Sequence, residues 1–203
     1  DSAIPIEAFA DRGTTSGTLY ISSTEVQGAQ VLEIVIDDPS LNKNSTNDSV
    51  LVDITPSGGS TETMIMFQML NGLYYAYLVD DVSAEGAIGV SGTSIDFGKD
   101  CDLTYTLNSG ALDLTGIDTF IEGSSCTATG TTNDDAFTAL QNEPEEIKVG
   151  IANMFPGPAA IGNVPAMVDG TWALIYAVDM ADDNLLEYGD TSISFTYGPQ
   201  NAG

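Results

Sequence analysis

The apolar side chains of this chain recur at every second residue, which is the spacing of a β-strand. Within residues 30–37, for example, Leu32, Ile34 and Ile36 alternate with Val31, Glu33, Val35 and Asp37. Only residues 133–142 are typical of a helix, and a short one. Further segments rich in Val, Ile, Thr, Tyr and Phe predict strands at 18–23, 49–55, 62–69, 73–79, 102–107, 146–153, 171–179 and 191–197. The sequence therefore predicts an all-β protein.

Turn signals separate these strands. The Asn-Gly pair at 71–72 predicts a hairpin, and Pro and Gly within 56–59 predict a second turn. Short antiparallel strands separated by turns are typical of a β-sandwich. At 203 residues the chain has room for one large domain or two small ones.

Strands become sparser between about residues 81 and 144, where Gly, Ser and Thr are frequent. We interpret this stretch as an insertion into one domain that spans residues 17–203. A second small domain is the alternative. Both cysteines fall inside the stretch, so a disulfide between them would staple the insertion.

The first sixteen residues differ from the rest of the chain. Ile4, Ile6 and Ala8 would line one face of an extended segment, and Pro5 confines that segment to a sheet edge. Residues 1–16 are therefore either the first strand of the domain's own sheet or a frayed terminus, or they are a donor strand. A donor strand would complete the sheet of a neighbouring subunit.

Charge and composition exclude several functions. The chain has 30 acidic and 4 basic residues, a net charge of −26, so it cannot neutralise the phosphates of a nucleic acid. It contains no histidine, which removes Ser–His–Asp triads and His-ligated metal sites. Thirty carboxylates offer no way to choose a catalytic pair. We therefore expect no enzyme activity and no organic cofactor.

Several features indicate an extracellular location. No apolar run is long enough to predict a transmembrane segment. The two cysteines, Cys101 and Cys126, suggest one disulfide formed in an oxidising compartment, with two buried thiols as the alternative. Sequons at Asn44 and Asn47 fit glycans on a polar surface loop.

Two acidic loops are candidate calcium sites, because Ca²⁺ binds six to eight carboxylate, amide and backbone oxygens. The alternative is that these Asp and Asn side chains cap turns, and that the acidic surface reflects a high-salt habitat. Bound cations would relieve the repulsion among the many negative charges. The candidate ligands are Asp37, Asp38 and Asn42 in the first loop and Asp179, Asp182 and Asp183 in the second.

The order of several segments resembles the N-terminal immunoglobulin-like region of S-layer proteins from ammonia-oxidising (thaumarchaeal) archaea. The resemblance covers roughly residues 17–197. The segments that carry it are Ser23-Thr24-Glu25-Val26-Gln27-Gly28, the strand VLEIVIDDP, Asn71-Gly72-Leu73-Tyr74-Tyr75-Ala76-Tyr77, Ile95-Asp96-Phe97-Gly98, Cys101, Cys126 and Asn142-Glu143-Pro144-Glu145-Glu146-Ile147.

The resemblance implies an immunoglobulin-like antiparallel β-sandwich with a disulfide-stapled insertion, and a Cys101–Cys126 bridge. It also implies glycosylation, divalent-cation use and a secreted protein that assembles with copies of itself on an archaeal cell surface. S-layer proteins of that family are usually much longer chains. We therefore expect a structural subunit of either an S-layer-type lattice or a pilus-like filament built by β-strand exchange.

Two other functions remain open. One is a carbohydrate- or cation-binding module of a larger surface protein, which would be a monomer with a saturable ligand. The other is a carboxylate-based hydrolase, which would hold a carboxylate of perturbed pKa in a cleft.

Overall fold

The structure of the protein is a computed structural model that describes residues 17–41, 49–87, 99–107, 110–121 and 173–198. The described residues form eleven strands and one short helix, α1 (Asp81–Ala87). The prediction of an all-β protein is therefore confirmed. The strands are β1 (Thr18–Ile21), β2 (Glu25–Gln27), β3 (Leu32–Asp37), β4 (Ser49–Pro56), β5 (Glu62–Gln68), β6 (Tyr74–Asp80), β7 (Lys99–Leu107), β8 (Gly110–Ile121), β9 (Ile175–Val178), β10 (Asp183–Tyr188) and β11 (Thr191–Gly198).

All eleven strands belong to one sheet. Its main path runs in the order β2-β11-β10-β4-β5-β6-β9-β8-β7, and β3 joins β6 from the other side and carries β1. Every pairing is antiparallel except β2 with β11 and β6 with β9, which are parallel. The first two strands thus attach to opposite parts of the sheet.

The sheet curls so that β1 and β11, the first and last of the described strands along the chain, lie against each other. The hydroxyl of Thr191, at the start of β11, donates to the backbone carbonyl of Gly17 at 3.3 Å. Close by, the hydroxyl of Tyr188 donates to a carboxylate oxygen of Asp38 at 2.8 Å. These bonds hold the amino-terminal end of the described chain against β10 and β11.

The core lies inside this curl, and β6 is its centre. Every residue of β6 is buried, so both faces of this strand are covered, as its nearly continuous apolar sequence would allow. The clustered tyrosines and methionines of β5 and β6 and of the turn between them belong to this core, and all of them are buried: Tyr74, Tyr75, Tyr77, Met64, Met66 and Met69.

Both predicted turns are present. The hairpin between β5 and β6 closes through Met69, whose carbonyl accepts from the N–H of Gly72 at 2.9 Å. Gly72 has a φ of 83°, which explains why the Asn-Gly pair marks this turn. The turn after β4 places Gly58 at a φ of 78°.

The structure differs from the sequence-based prediction at four elements, since β2, β8, β10 and α1 were not expected. Strands β7 and β8 fall within the predicted insertion, and they join the main sheet through β9. The predicted strand at 146–153 and the predicted helix at 133–142 lie outside the described residues.

The predicted disulfide stays a prediction. Cys101 lies in β7, in register with Thr119 of β8. Cys126 lies outside the described residues.

Candidate functional site

Several predicted site residues lie outside the part of the chain that the structure describes. They include the whole amino-terminal segment 1–16, and therefore the candidate assembly residues Ile4, Ile6 and Ala8. The sequons at Asn44 and Asn47 and the candidate calcium ligand Asn42 also lie outside it.

The first acidic loop begins where β3 ends. Asp37 is the last residue of that strand, in register with Thr18. Asp38 is fully buried, and its carboxylate accepts bonds from the N–H and the hydroxyl of Ser40, at 2.9 and 2.6 Å, besides the bond from Tyr188. These donors satisfy a carboxylate that would otherwise be costly to bury.

The second acidic cluster is only partly a loop. Asp179 and Asp182 are exposed before β10, whereas Asp183 is the first residue of that strand. The backbone carbonyl of Asp182 accepts from the N–H of Tyr197 at 3.0 Å, so this segment is fixed to β11. Within the described ranges, no three acidic or cysteine side chains group so as to hold a metal ion, and calcium binding stays a prediction.

A buried carboxylate that sequence reasoning missed connects four parts of the fold. Asp80, at the end of β6, is 3% exposed. One of its oxygens accepts from the N–H of Met180 at 3.1 Å. The other accepts from the N–H of Ser83 at 3.0 Å, which caps α1, and from the hydroxyl of Tyr197 at 2.8 Å. The position of Asp80 three residues before Ser83 was the available sequence signal for a helix cap.

The hydroxyl of Tyr197 is held on two sides, since it also lies 2.7 Å from the hydroxyl of Ser83. Burial raises the pKa of Tyr197, and the bond to Asp80 and the charges of Asp80 and Asp179 raise it further, although the bond with Ser83 opposes them. The arrangement therefore keeps this phenol protonated as the donor to Asp80 and ties β11 to β6.

A second buried carboxylate lies on the other side of β6. Glu33, on β3, is 9% exposed and accepts a 2.9 Å bond from the hydroxyl of Tyr77. Burial raises the pKa of Glu33, and the bond from Tyr77 partly offsets that rise. Burial, together with the neighbouring charge of Glu33, also raises the pKa of Tyr77.

One end of the sheet is closed by local hydrogen bonds. The carbonyl of Thr24, directly before β2, accepts from the N–H of Thr196, and the N–H of Gly28, directly after β2, donates to the carbonyl of Gly198. Because backbone groups alternate in direction along a strand, those of Glu25 and Gln27 face outward. The hydroxyl of Ser23 accepts from the N–H of Glu25 at 3.1 Å and donates to its carbonyl at 2.6 Å.

The outward backbone groups of Gln27, two residues further along β2, are also bonded locally. The N–H of Gln27 donates to the side-chain oxygen of Gln30 at 3.2 Å, and the carbonyl of Gln27 accepts from the N–H of Gln30 at 3.1 Å. The outward N–H and C=O groups of Glu25 and Gln27 are therefore already hydrogen-bonded, which protects this edge against pairing with another strand.

The opposite end of the sheet is β7, which is nine residues long. It pairs with β8 along one edge, and it pairs with no second strand among the described residues. An edge strand of this length presents a row of backbone donors and acceptors.

No protein-family model matches the chain, and a comparison with curated proteins returned no significant match. Within the described residues, no helix is long and apolar enough to cross a membrane. The functional proposal therefore depends on the geometry of this chain.

Proposed function

We propose that the protein is a non-enzymatic, self-assembling subunit of an extracellular archaeal surface structure. The structure would be an S-layer-type lattice or a pilus-like filament, built by β-strand exchange between copies. The observation that carries the proposal is the open sheet, whose end strand β7 has no second partner among the described residues. An unpaired edge is a template for a strand from another chain.

The strand pairing supports an immunoglobulin-like sandwich as the fold of this subunit. β1 and β3 pair with each other and β3 pairs with β6, while β4, β10 and β11 pair in that order. Immunoglobulin-like domains place strands A, B and E in one sheet and strands C, F and G in the other. In this comparison β1, β3 and β6 take the places of A, B and E, and β4, β10 and β11 take those of C, F and G. The same resemblance to archaeal S-layer domains, taken with this pairing, favours a surface location.

The donor in this proposal is the segment 1–16. It is attached at Gly17, which lies directly before β1 and against β11. Ile4, Ile6 and Ala8 would fill alternate positions along the acceptor strand. Calcium bound by the acidic loops, the glycans at Asn44 and Asn47, and the Cys101–Cys126 bridge belong to the same proposal.

The proposal is tested by electron microscopy and light scattering of the full chain and of a chain lacking residues 1–16, each with calcium and with a chelator. We expect polymers of the full chain only. A double variant, Ile4→Asp with Ile6→Asp, should also stay monomeric, whereas the matched control Ser2→Asp with Thr14→Asp should assemble.

Unchanged circular dichroism and thermal transitions would show that the variants still fold. Polymers that dissolve on chelation would support cation bridges between subunits, and polymers of the deleted chain would overturn the donor-strand mechanism. A full chain that stays monomeric at high concentration with calcium would contradict self-assembly and favour the binding module.

A further inference from the structure

We propose that the fold carries tension between its two chain ends, and that the parallel pair of β2 and β11 is the clamp that resists this tension. The clamp consists of residues 24–28 together with residues 196–198. This inference goes beyond the proposed function, because it concerns how one folded chain resists a pulling force and not how copies bind one another.

The strands of the clamp lie near the two ends of the described chain. β1 and then β2 follow the amino-terminal segment, and β11 is the last described strand. A force on the two chain ends therefore draws β2 towards its amino-terminal end and draws β11 towards its carboxy-terminal end.

The direction of pairing decides how this force acts on the hydrogen bonds. β2 and β11 are parallel, with Glu25 in register with Thr196 and Gln27 in register with Gly198. Opposite forces along two parallel strands slide one strand past the other, so all the bonds between them are strained at the same time. In an antiparallel pair the two pulled ends would lie side by side, and the bonds would break one after another.

Backbone hydrogen bonds span the clamp from end to end. The carbonyl of Thr24 accepts from the N–H of Thr196 at 2.9 Å, and the N–H of Gly28 donates to the carbonyl of Gly198 at 3.0 Å. Val26 lies between these two bonds and is 1% exposed. Its backbone groups face β11 in the same alternation, so water has little access to replace their bonds when the strands are strained.

Both strands of the clamp are fixed to the body of the fold, which hinders either strand from peeling away. The hydroxyl of Tyr197 donates to Asp80 at 2.8 Å, and the N–H of Tyr197 donates to the carbonyl of Asp182 at 3.0 Å. On the other strand, the side chain of Val26 belongs to the apolar core. The force therefore acts on the bonds between β2 and β11.

The seam between β1 and β11 is weaker than the clamp. The two strands lie side by side, and the hydroxyl of Thr191 bonds the carbonyl of Gly17 at 3.3 Å. Among the described strands, however, β1 pairs with β3 alone, over four residues. When β1 yields, the force passes to β2 and hence to the clamp.

The test holds single molecules of the full chain at one fixed force in optical tweezers and measures how long they stay folded. Handles at the two chain ends load the clamp along its strands. The comparison places one handle on an azide-bearing amino acid in place of Ala29 and the other at the carboxy-terminal end. Ala29 directly follows Gly28, whose N–H bonds Gly198, so these handles pull from one end of the pair and open its bonds in turn.

We expect the folded lifetime to be at least about tenfold longer when the chain ends are pulled, because several backbone bonds must then break together. An unchanged thermal transition would show that the handle at Ala29 leaves the fold intact. Equal lifetimes in the two directions, or a shorter lifetime when the chain ends are pulled, would overturn the clamp.

A matched pair of proline variants tests the bonds themselves. The N–H of Tyr197 bonds β10, so the N–H groups of Thr196 and Ser194 point away from β10, and both of these side chains are exposed. Thr196→Pro removes the donor to Thr24, whereas Ser194→Pro removes an N–H that faces β1, with which β11 forms no described strand pair.

Between the two chain ends, Thr196→Pro should shorten the folded lifetime about tenfold and Ser194→Pro should change it little. Equal lifetimes of the two variants would contradict the assignment of the clamp. If Thr196→Pro loses its thermal transition, the comparison of pulling directions in the unaltered sequence decides.

The outcomes separate this inference from self-assembly. Equal lifetimes in the two pulling directions, in a chain that forms polymers, would overturn only the clamp. A chain that stays monomeric but resists force between its ends, and yields easily from Ala29, would keep the clamp and overturn only the assembly.

Discussion

The hydroxyl of Tyr176 and the backbone of Ile65 form two hydrogen bonds across 111 residues of sequence. The N–H of Ile65 donates to the hydroxyl at 2.9 Å, and the hydroxyl donates to the carbonyl of Ile65 at 2.8 Å. Strands β5 and β6 pair only beside their hairpin, from Phe67 opposite Tyr75 onward. Continued pairing would place Ile65 opposite Tyr77, but β9 pairs with Tyr77 instead.

Tyr176 therefore replaces a missing strand partner, which predicts a large effect for Tyr176→Phe. The substitution leaves the N–H and the carbonyl of Ile65 buried without this partner, a cost of about 1–3 kcal/mol. Chemical denaturation should show a lower free energy of unfolding with an unchanged slope. Tyr20→Phe is the matched control, because Tyr20 is 53% exposed and should tolerate the change. Equal losses in both variants would contradict the assigned role of Tyr176.

The buried carboxylate of Glu33 predicts a specific pH dependence. Its pKa is raised in the folded state above the ordinary value of 4.5, mainly by burial. The stability that this group contributes is therefore complete below about pH 4.5 and is lost as the pH rises through the raised pKa. Glu33→Gln should remove this loss, because the amide oxygen can still accept from Tyr77 but carries no charge. The free energy of unfolding of the variant should therefore exceed that of the unaltered protein by more at pH 7 than at pH 4.

Glu187→Gln is the control for that experiment, because Glu187 is exposed on β10 and its replacement removes the same charge. Urea denaturation from pH 4 to pH 8 should show a flatter profile for Glu33→Gln than for Glu187→Gln. Two parallel profiles would mean that total charge, and not burial at Glu33, sets the pH dependence.

Close packing at the start of β1 predicts that Gly17 cannot become alanine without a cost. A Cβ atom there would lie 2.6 Å from a ring carbon of Tyr188 and 3.0 Å from Asp38. Tyr188 is itself held by its bond to Asp38, so the ring cannot move away freely. Overpacking of this kind costs about 1–3 kcal/mol.

Gly198→Ala is the matched substitution, because nothing lies within 4 Å of the added carbon at that position. Differential scanning calorimetry should show a clear fall in melting temperature for Gly17→Ala and little change for Gly198→Ala. An equally small change in the melting temperature of both variants would show that β1 and β10 separate easily.

The strands that the sequence predicted share a strong local signal. In β3 and β6 the β-branched and aromatic residues fit the packed, pleated surface of a strand, and turn residues flank them. β10 was not predicted as a strand because Asp183 and Asn184, at its start, are typical of turns. In the structure the side chain of Asn184 is buried and bonds both the N–H and the carbonyl of Ala181, so it closes a turn and begins a strand at once.

The polar sites were harder to predict because their partners are distant in sequence. Asp80 is 100 residues from Met180 and 117 from Tyr197. The local sequence offers only the helix-cap spacing of Asp80 to Ser83, and the pairing of β6 with β9 brings the segment that contains Met180 to Asp80. Glu33 is a similar case, because its buried partner Tyr77 lies 44 residues further along the chain, on β6.

The bonds of Asp80 predict that Asp80→Asn is destabilising even though it removes a negative charge from a very acidic protein. Both carboxylate oxygens accept, one from Met180 and the other from Ser83 and Tyr197. An amide turns one of these acceptors into a donor, so in either orientation a donor faces another donor. The expected cost is about 1–3 kcal/mol in the free energy of unfolding.

Asp182→Asn is the control, because Asp182 is exposed and its replacement removes the same charge. Tyr197→Phe removes only the hydroxyl and should cost less than Asp80→Asn. Because the two side chains bond each other, the double variant should lose less stability than the sum of the two single losses. Strictly additive losses in urea denaturation would show that Asp80 and Tyr197 act independently, and that β6 and β11 are held together by apolar packing instead.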